Sequence, residues 1–300
     1  MLVECWHWRY RDPVTWEMQT AQCSMTADEV AAFPGAKSSA TVRRAHHHWD
    51  LGREPMQPHY SDALAPQTNR LLAALPALTL DNWKPHLERV DLPLGFVVYE
   101  SGDQIAHVYF PTTAIASLMY VMENGSSAEI AVVGNDGVVG ISVFMGGYTT
   151  PSRAVVQSAG YSYRVTAARF TTLLEQDAAL QRLLLRYTQA LLTQISLTAV
   201  CNRHHTLHQQ FCRWLLLSLD RLPGNELIMT QELIANMLGV RRQGVTAAAS
   251  KLQAQGAISY HRGRITVLDR AKLERCSCEC YQVGERECAR LLPSAPSTKK

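Results

Sequence analysis

The sequence has no unbroken apolar run of about eighteen residues, the least that spans a bilayer as a helix. Its longest candidate, Ile130 to Phe144, is interrupted by Asn135 and Asp136 and is dense in glycine, so no transmembrane segment is expected. No secretory leader is expected either, because Met1-Leu-Val-Glu-Cys-Trp-His-Trp-Arg has neither a basic n-region nor an apolar h-region. Cysteine is scarce, eight in 300 residues, which excludes a disulfide scaffold and predicts reduced thiols in a cytoplasmic protein. Net charge is small as well, +3 overall, and by itself points to no polyanion. What is plentiful is apolar: 47% of the residues, enough for a sizeable core and too much for global disorder. At 300 residues the chain has room for two domains of ordinary size.

The charge is unevenly placed. Residues 205–275 hold ten Lys and Arg against five acids, so this window is +5 and the remainder −2. From Arg241 to Arg264 there are five basic residues and no acid at all, which predicts a face suited to phosphate.

Residues 1–66 show no sustained period of either kind and include His46-His47-His48. They are expected as a poorly ordered extension, or as a start placed too early with Met56 the true initiator. Leu71, Leu72, Leu75 and Leu78 recur at helical spacing, and Leu80-Asp81-Asn82-Trp83 opens a second short helix. From Val90 to Val165 the rhythm becomes short β-like runs: Phe96–Tyr99, His107–Phe110, Ala114–Tyr120, Ala128–Val133, Ala154–Val156 and Ser162–Val165. Asn124-Gly125 between two of them predicts a type I′ hairpin. So many short strands imply a small sandwich or jelly roll. Helical period then returns, with Leu180, Leu183, Leu184, Tyr187, Leu191, Leu192, Ile195 and Val200 making a broad apolar face. A helix this long buries one stripe on the roll and offers another as a dimer seam, to which Leu184, Leu191 and Ile195 are assigned. Gln209 to Leu222 is a further helix, stopped by Pro223-Gly224.

Residues 230–249 fit a helix-turn-helix. Thr230 is a suitable N-cap, and Leu233, Ile234 and Met237 give the first helix a buried face. Ala235 is small where a second helix must cross, Gly239 follows at the turn where a left-handed backbone is needed, and Val245 packs into the crossing. Ala257–Tyr260 and Ile265–Leu268 flank His261-Arg262-Gly263-Arg264 as a hairpin wing with a basic tip. The second helix opens on Arg241-Arg242-Gln243, with Thr246 one turn on, and residue types at that end of a recognition helix reach base edges: Arg pairs with guanine, Gln with adenine. Arg241, Arg242, Gln243, Thr246, Lys251, His261, Arg262 and Arg264 are the expected DNA contacts.

In this order of parts the chain resembles the Crp/Fnr family of bacterial transcription regulators, over about Asn69 to Leu273 and most specifically Met229 to Leu268. The resemblance implies an α+β fold: an N-terminal jelly-roll-like β-roll, a long dimerisation helix and a C-terminal winged helix-turn-helix. It divides the chain at 67–178 for the roll, 179–207 for the dimerisation helix, 208–275 for the DNA-binding domain and 276–300 for a cysteine-containing tail. It implies a homodimer on a near-palindromic operator in double-stranded DNA, RNA polymerase as a further partner, no membrane and no enzymatic activity. By position Arg242 and Gln243 match base-reading residues of the family, whereas Ala247 stands where the family often has another basic residue.

Cyclic-nucleotide-binding members use a Glu for the ribose and an Arg followed by Ser or Thr for the phosphate. The matching stretch here, Gly137 to Ala154, has no carboxylate at the first position and has Ser152-Arg153 in reversed order. Ser142, Ser152 and Arg153 are the residues left to an effector, whose identity the sequence does not give, and cyclic AMP is not expected to be it. Only Cys5 and Cys23 precede the roll, two ligands short of the family's iron–sulfur sensor. Cys201, His204, His205, His208 and Cys212 form one thiol and imidazole run; Cys276, Cys278, Cys280 and Cys288 form another. The first pattern more often means packing and capping, and the second lacks the paired C-x-x-C of a zinc knuckle, so neither a metal nor a cofactor is assigned.

Two other classes fare worse. A metal-dependent cupin-type enzyme needs several strand histidines, yet Val90 to Val165 contains only His107. A ligand-binding adaptor that merely dimerises leaves the acid-free stretch without a reason. A ligand- or redox-sensing roll whose DNA binding is secondary is the remaining alternative.

Overall fold

The structure, a computed structural model, describes residues 5–11, 18–24, 65–175 and 177–292, which fall in two compact units. In the first unit β1 (Cys5–Arg11) pairs antiparallel with β2 (Met18–Ser24), with Cys5 opposite Ser24 and Arg11 opposite Met18. This hairpin lies in the segment expected as an extension without period; His46-His47-His48 and Met56 lie outside the described residues.

The second unit opens with α1 (Arg70–Ala73) and α2 (Ala77–Trp83). Asn69 makes α1 start where it does. Its Oδ1 accepts from the Leu71 and Leu72 amides, and its Nδ2 donates to Pro111 O at 2.9 Å and Gly137 O at 2.8 Å. A fully buried amide is tolerated here because its hydrogen-bonding capacity is used. The second helix begins at Ala77, not at Leu80, following Pro76, which supplies a fixed φ before the first turn. It delivers Trp83, whose ring meets those of Phe110 and Phe170 edge-on, each at 5.9 Å.

Seven strands make the roll: β3 (Glu88–Leu92), β4 (Val97–Tyr99), β5 (His107–Pro111), β6 (Ile115–Val121), β7 (Ser127–Val133), β8 (Arg153–Ser158) and β9 (Gly160–Thr166). They form a three-stranded sheet in the order β3-β9-β5 and a four-stranded sheet in the order β4-β8-β6-β7. Strand β3, Glu-Arg-Val-Asp-Leu, was hidden in the sequence by its charges. It is an edge strand whose Leu92 alone is buried, and Glu88 faces Arg164 across the ladder at 2.8 Å. The β6–β7 hairpin forms as expected, but its turn is not type I′. Met122 N–H donates to Ser126 O at 2.8 Å around a three-residue loop, and only Gly125, at φ +82°, takes the left-handed region there.

Short α3 (Ile141–Phe144) and α4 (Ala167–Glu175) precede the long helix α5 (Ala178–His204), capped by Asp177. Leu180, Leu183, Leu184, Tyr187 and Leu191 pack into the core of the roll. The Tyr187 hydroxyl donates to Val138 O at 3.1 Å, and its ring lies so close to Gly137 that a Cβ there would stand 2.5 Å from the oxygen. Helix α6 (Leu207–Leu219) follows after His205 and Thr206, started by a capping box between Thr206 and Gln209. Strand β10 (Glu226–Ile228), α7 (Gln231–Leu238), α8 (Arg242–Ala254), β11 (Ile258–His261) and β12 (Arg264–Val267) make a second core, with sheet order β10-β12-β11. The last helices among the described residues are α9 (Arg270–Cys276) and α10 (Glu279–Leu291). Within the segment expected only as a tail, Glu279–Leu291 is thus helical, with Tyr281 and Leu291 buried. No helix among the described residues is long and apolar enough to cross a membrane.

A buried polar chain joins the two cores. Ser117 on β6 donates to Gln157 on β8 at 2.8 Å, Gln157 donates to Ser218 on α6 at 2.8 Å, and Ser218 donates to Trp214 O at 3.0 Å. Beside it Glu129 on β7 is buried, and one of its carboxylate oxygens has no hydrogen-bond partner. Burial pushes its carboxyl up to about 7, against the pull of the Ser117 hydrogen bond and of the Arg213 charge. The proton is therefore held more tightly folded than unfolded. Its contribution is fully present below the ordinary carboxylate value of 4.5 and is lost as pH rises to about 7. Glu129→Gln should remove that loss and stabilise the protein at pH 8, relative to its effect at pH 4, by about 3 kcal/mol at most. Urea unfolding of both proteins at the two pH values checks this; equal differences at both would show that Glu129 does not titrate in this range.

Candidate nucleic-acid interface

The geometry of 229–267 follows from a few local choices. Thr230 Oγ1 accepts from the Leu233 amide at 3.3 Å and starts α7. Gly239 ends it in the left-handed region, at φ +65°. Ala235, Ile234 and Met237 from α7 are buried together with Val245, Ala248 and Leu252 from α8. Gly244 has a role not evident in the sequence: a Cβ there would stand 2.6 Å from Leu207, so glycine lets the start of α6 approach the recognition helix. Arg262 (φ +49°) and Gly263 (φ +78°) turn the wing between His261 and Arg264, a two-residue hairpin with both central residues left-handed. The wing is tied down by Met229 N–H donating to Gly263 O at 2.7 Å and the Tyr260 hydroxyl donating to Met229 O at 2.8 Å.

Arg241, Arg242, Gln243, Thr246, Lys251, His261, Arg262 and Arg264 are all exposed. They do not have equal freedom. The Thr246 hydroxyl is engaged with Gln231 Oε1 at 2.7 Å and with Arg242 O at 3.1 Å, bridging the two helices. Arg264 is paired with Glu226 on β10, the acid that its long separation in sequence concealed. Lys251 sits in the last turn of α8, about 13 Å along the axis from Arg242 at 1.5 Å per residue, so it stands apart from the N-terminal end of the helix. Two of the ten basic residues in the 205–275 window leave the face altogether. Arg213 is buried with its guanidinium on Thr198 at 3.1 Å, and Arg221 is buried on Asp136 at 2.7 Å. Arg270 pairs with Asp220 and Glu274, Lys272 pairs with Asp269, and Arg275 lies on α9, so the cations left at the start of α8 and the wing tip are Arg241, Arg242 and Arg262, with Gln243 exposed beside them.

Residues 209–276 match the family model of the Crp-like helix-turn-helix domain. FixK2 from Bradyrhizobium japonicum has the same fold at 17% identity, covering 64% of this chain and 98% of its own, with a TM-score of 0.54. So has a crp/fnr-family transcriptional regulator of Eubacterium rectale, at 16% identity, 72% and 99% coverage and a TM-score of 0.54. A third is a CRP-family regulator of Thermus thermophilus, at 16% identity, 63% and 95% coverage and a TM-score of 0.52. The chain has the Crp/Fnr regulator fold. No curated protein matches its sequence.

Within that fold two of the residues left to an effector already have neighbours as partners, and the buried Nε of Arg153 has none. Ser152 bonds Thr150 at 3.0 Å and Arg153 pairs with Glu100 at 3.3 Å at the start of β8, while Ser142 lies on α3. Of the residues assigned to a dimer seam, two are buried within the protomer and the third is half-buried. Leu184 and Leu191 are 0% and 7% exposed because they face the roll, and Ile195 packs against the same core. The opposite side of α5 presents Leu185, Leu192 and Val200, each at least half exposed, with Ala199 and Ser196 between. Leu185, Leu192 and Ala199 repeat every seven residues, the spacing of a coiled-coil seam. Residue pairs at 184/185 and 191/192 are both leucine, so periodicity alone did not say which of each pair meets the roll.

The thiol and imidazole runs are regrouped by the fold. Cys212 and His208 go to the DNA-binding domain, where burial raises the Cys212 thiol to about 12 and burial with Lys251 lowers His208. Cys276 lies against Gln255, while Cys201 and His205 from the end of α5 meet Cys278 and Cys280.

Proposed function

We propose that this chain is a dimeric, sequence-specific transcription regulator that lays α8 in the major groove of double-stranded DNA. The observation that carries this reading is an exposed Arg241-Arg242-Gln243 at the start of the second helix of a Crp-like helix-turn-helix, beside a wing whose tip is Arg262. Arg242 and Gln243 are the base readers. Arg241 and Arg262 hold phosphates and set the register of the domain. Thr246 keeps α7 and α8 together and adds a contact one turn on, while Arg264 is drawn towards Glu226. Two copies joined along the Leu185–Leu192–Ala199 face bring paired recognition helices to a near-palindromic operator. The roll works without cyclic AMP. Tyr187 takes interior space beside Gly137, and a ribose hydroxyl would find no carboxylate in the matching stretch. RNA polymerase is the partner through which a DNA-bound regulator of this fold acts.

The test is selection of bound fragments from random duplex DNA with no cyclic nucleotide added. Enrichment of one motif with two-fold symmetry, its half-sites centred about one helical turn apart, is the expected result. A motif without symmetry would refute the dimer, and no enrichment unless cyclic AMP is supplied would refute the account of the roll.

A further inference from the structure

We propose that Cys201, His205, Cys278 and Cys280 form a structural zinc site that fastens the α9–α10 segment to the junction of α5 and α6. Their four ligand atoms all lie within 4.8 Å of one another. Cys201 Sγ is 3.5 Å from Cys278 Sγ, and Cys280 Sγ is 3.6 Å from His205 Nδ1. A tetrahedral zinc with bonds of about 2.3 Å to sulfur and about 2.0–2.1 Å to nitrogen sets its sulfurs about 3.8 Å apart and sulfur about 3.5 Å from nitrogen. The Cys201–Cys278 and Cys280–His205 pairs match those separations to about 0.3 Å, and with every ligand atom within 4.8 Å of the others a small inward shift closes the set around an ion.

The chain builds this arrangement from two half-sites. Cys201 lies in the last turn of α5 and His205 is the residue that caps it, extended in backbone but with its amide donating to Cys201 O at 3.0 Å, so both stand at the same helix end. Cys278 is the N-cap of α10 and Cys280 lies in its first turn, where helix geometry favours anionic sulfur. Cys201 and Cys278 are 77 residues apart in sequence, so neither half reads as a site by itself. All three thiols are buried, and the only apolar side chain packed on them is a partly buried Leu197, among the described residues. Three thiols and an imidazole converging with so little hydrocarbon around them make poor core packing and a complete ligand set. Outside the ligands, His205 Nε2 is 3.3 Å from Glu279 Oε1, the carboxylate–histidine pairing that fixes which ring nitrogen faces a metal.

The chemistry is closed. Binding displaces the three thiol protons to solvent, leaves His205 neutral with Nδ1 on the metal and Nε2–H on Glu279, and completes four-coordination with no position open for water or substrate. The site is therefore structural and not catalytic. An S₃N set this tight suits zinc, and a multinuclear iron–sulfur core would need its ligands further apart.

Metal content of the full chain, purified without added metal or chelator, tests this directly. About one zinc per chain is expected, released by a mercurial in step with thiol titration. Cys278→Ser and Cys280→Ser should each lose it, while Cys276→Ser, Cys288→Ser, Cys5→Ser and alanine at His46–His48 should keep it. Should the serine variants fail to fold, cobalt loaded into the unaltered chain must show the strong visible bands and sulfur charge transfer of a tetrahedral thiolate site. Glu279→Gln should weaken zinc roughly ten-fold in competition with a chromophoric chelator. Folded chain free of zinc and giving no cobalt spectrum, zinc retained in Cys278→Ser, bound iron with sulfide, or a Cys201–Cys278 disulfide in a non-reducing peptide map would each overturn the assignment.

Discussion

Leu192→Glu is expected to convert the protein from dimer to monomer and to abolish tight operator binding while leaving the protomer folded. Leu192 is 59% exposed on α5, so in one copy a carboxylate there sits in water and costs little. Against a second α5 the same carboxylate is buried among Leu185 and Ala199 without a partner, a penalty of about 3–5 kcal/mol, or two to four decades in association. Sedimentation velocity at micromolar concentration reads the mass directly, and an unchanged melting profile at low concentration shows the protomer intact. Leu191→Glu is the instructive contrast. Leu191 belongs to the core of the roll, so that variant should fail to fold instead of dissociating. Retention of the dimer in a folded Leu192→Glu would place the seam on another surface.

The second large effect is at the start of α8. Arg242→Ala and Gln243→Ala should each lose about 1–3 kcal/mol on the selected operator and tolerate substitution at the base each one reads. Affinity for unrelated DNA should change far less. Arg262→Ala, at the wing, should weaken every sequence alike and make the logarithmic salt dependence shallower by about one phosphate contact. Fluorescence anisotropy with the operator, single-base variants of it and an unrelated duplex, each at several salt concentrations, separates the two behaviours. If all three variants lost the same factor on all duplexes, α8 would be a phosphate-binding element and sequence would be read elsewhere.

Much of this was legible in the sequence because the elements concerned are decided locally. The helix-turn-helix is specified by a cap at Thr230, a small crossing residue at Ala235, a left-handed Gly239 and a branched Val245, each of which acts within a few residues of itself. The six apolar strands of the roll announced themselves as short β-like runs with glycine between them. What escaped is what the fold decides at long range. Strand β3 is held by pairing with β9 and has no apolar pattern of its own. The choice between Leu184 and Leu185, or Leu191 and Leu192, depends on how α5 is rotated against the roll, which identical residues side by side do not encode. Glu226 meets Arg264 only because β10 joins the wing, and Arg213 and Arg221 leave the basic face only because α6 is buried between two cores. The cysteine cluster is the extreme case, since each half is an unremarkable pattern until the end of α5 and the start of α10 arrive at the same place.

Helix α10 packs along α5 on the flank that carries Ala190, Leu197 and Cys201, where Gly284 would bring a Cβ to 3.4 Å from Leu197. With the roll covering a second flank, the long helix has a single bare strip. A rod with bare strips on two sides recruits copies on both and grows without end; a rod with one is satisfied by a single copy of itself in the reverse relation. Under the dimeric reading proposed above, self-association along α5 is isologous and closes at two, with the tail helix acting as the wall that keeps a third chain from the seam.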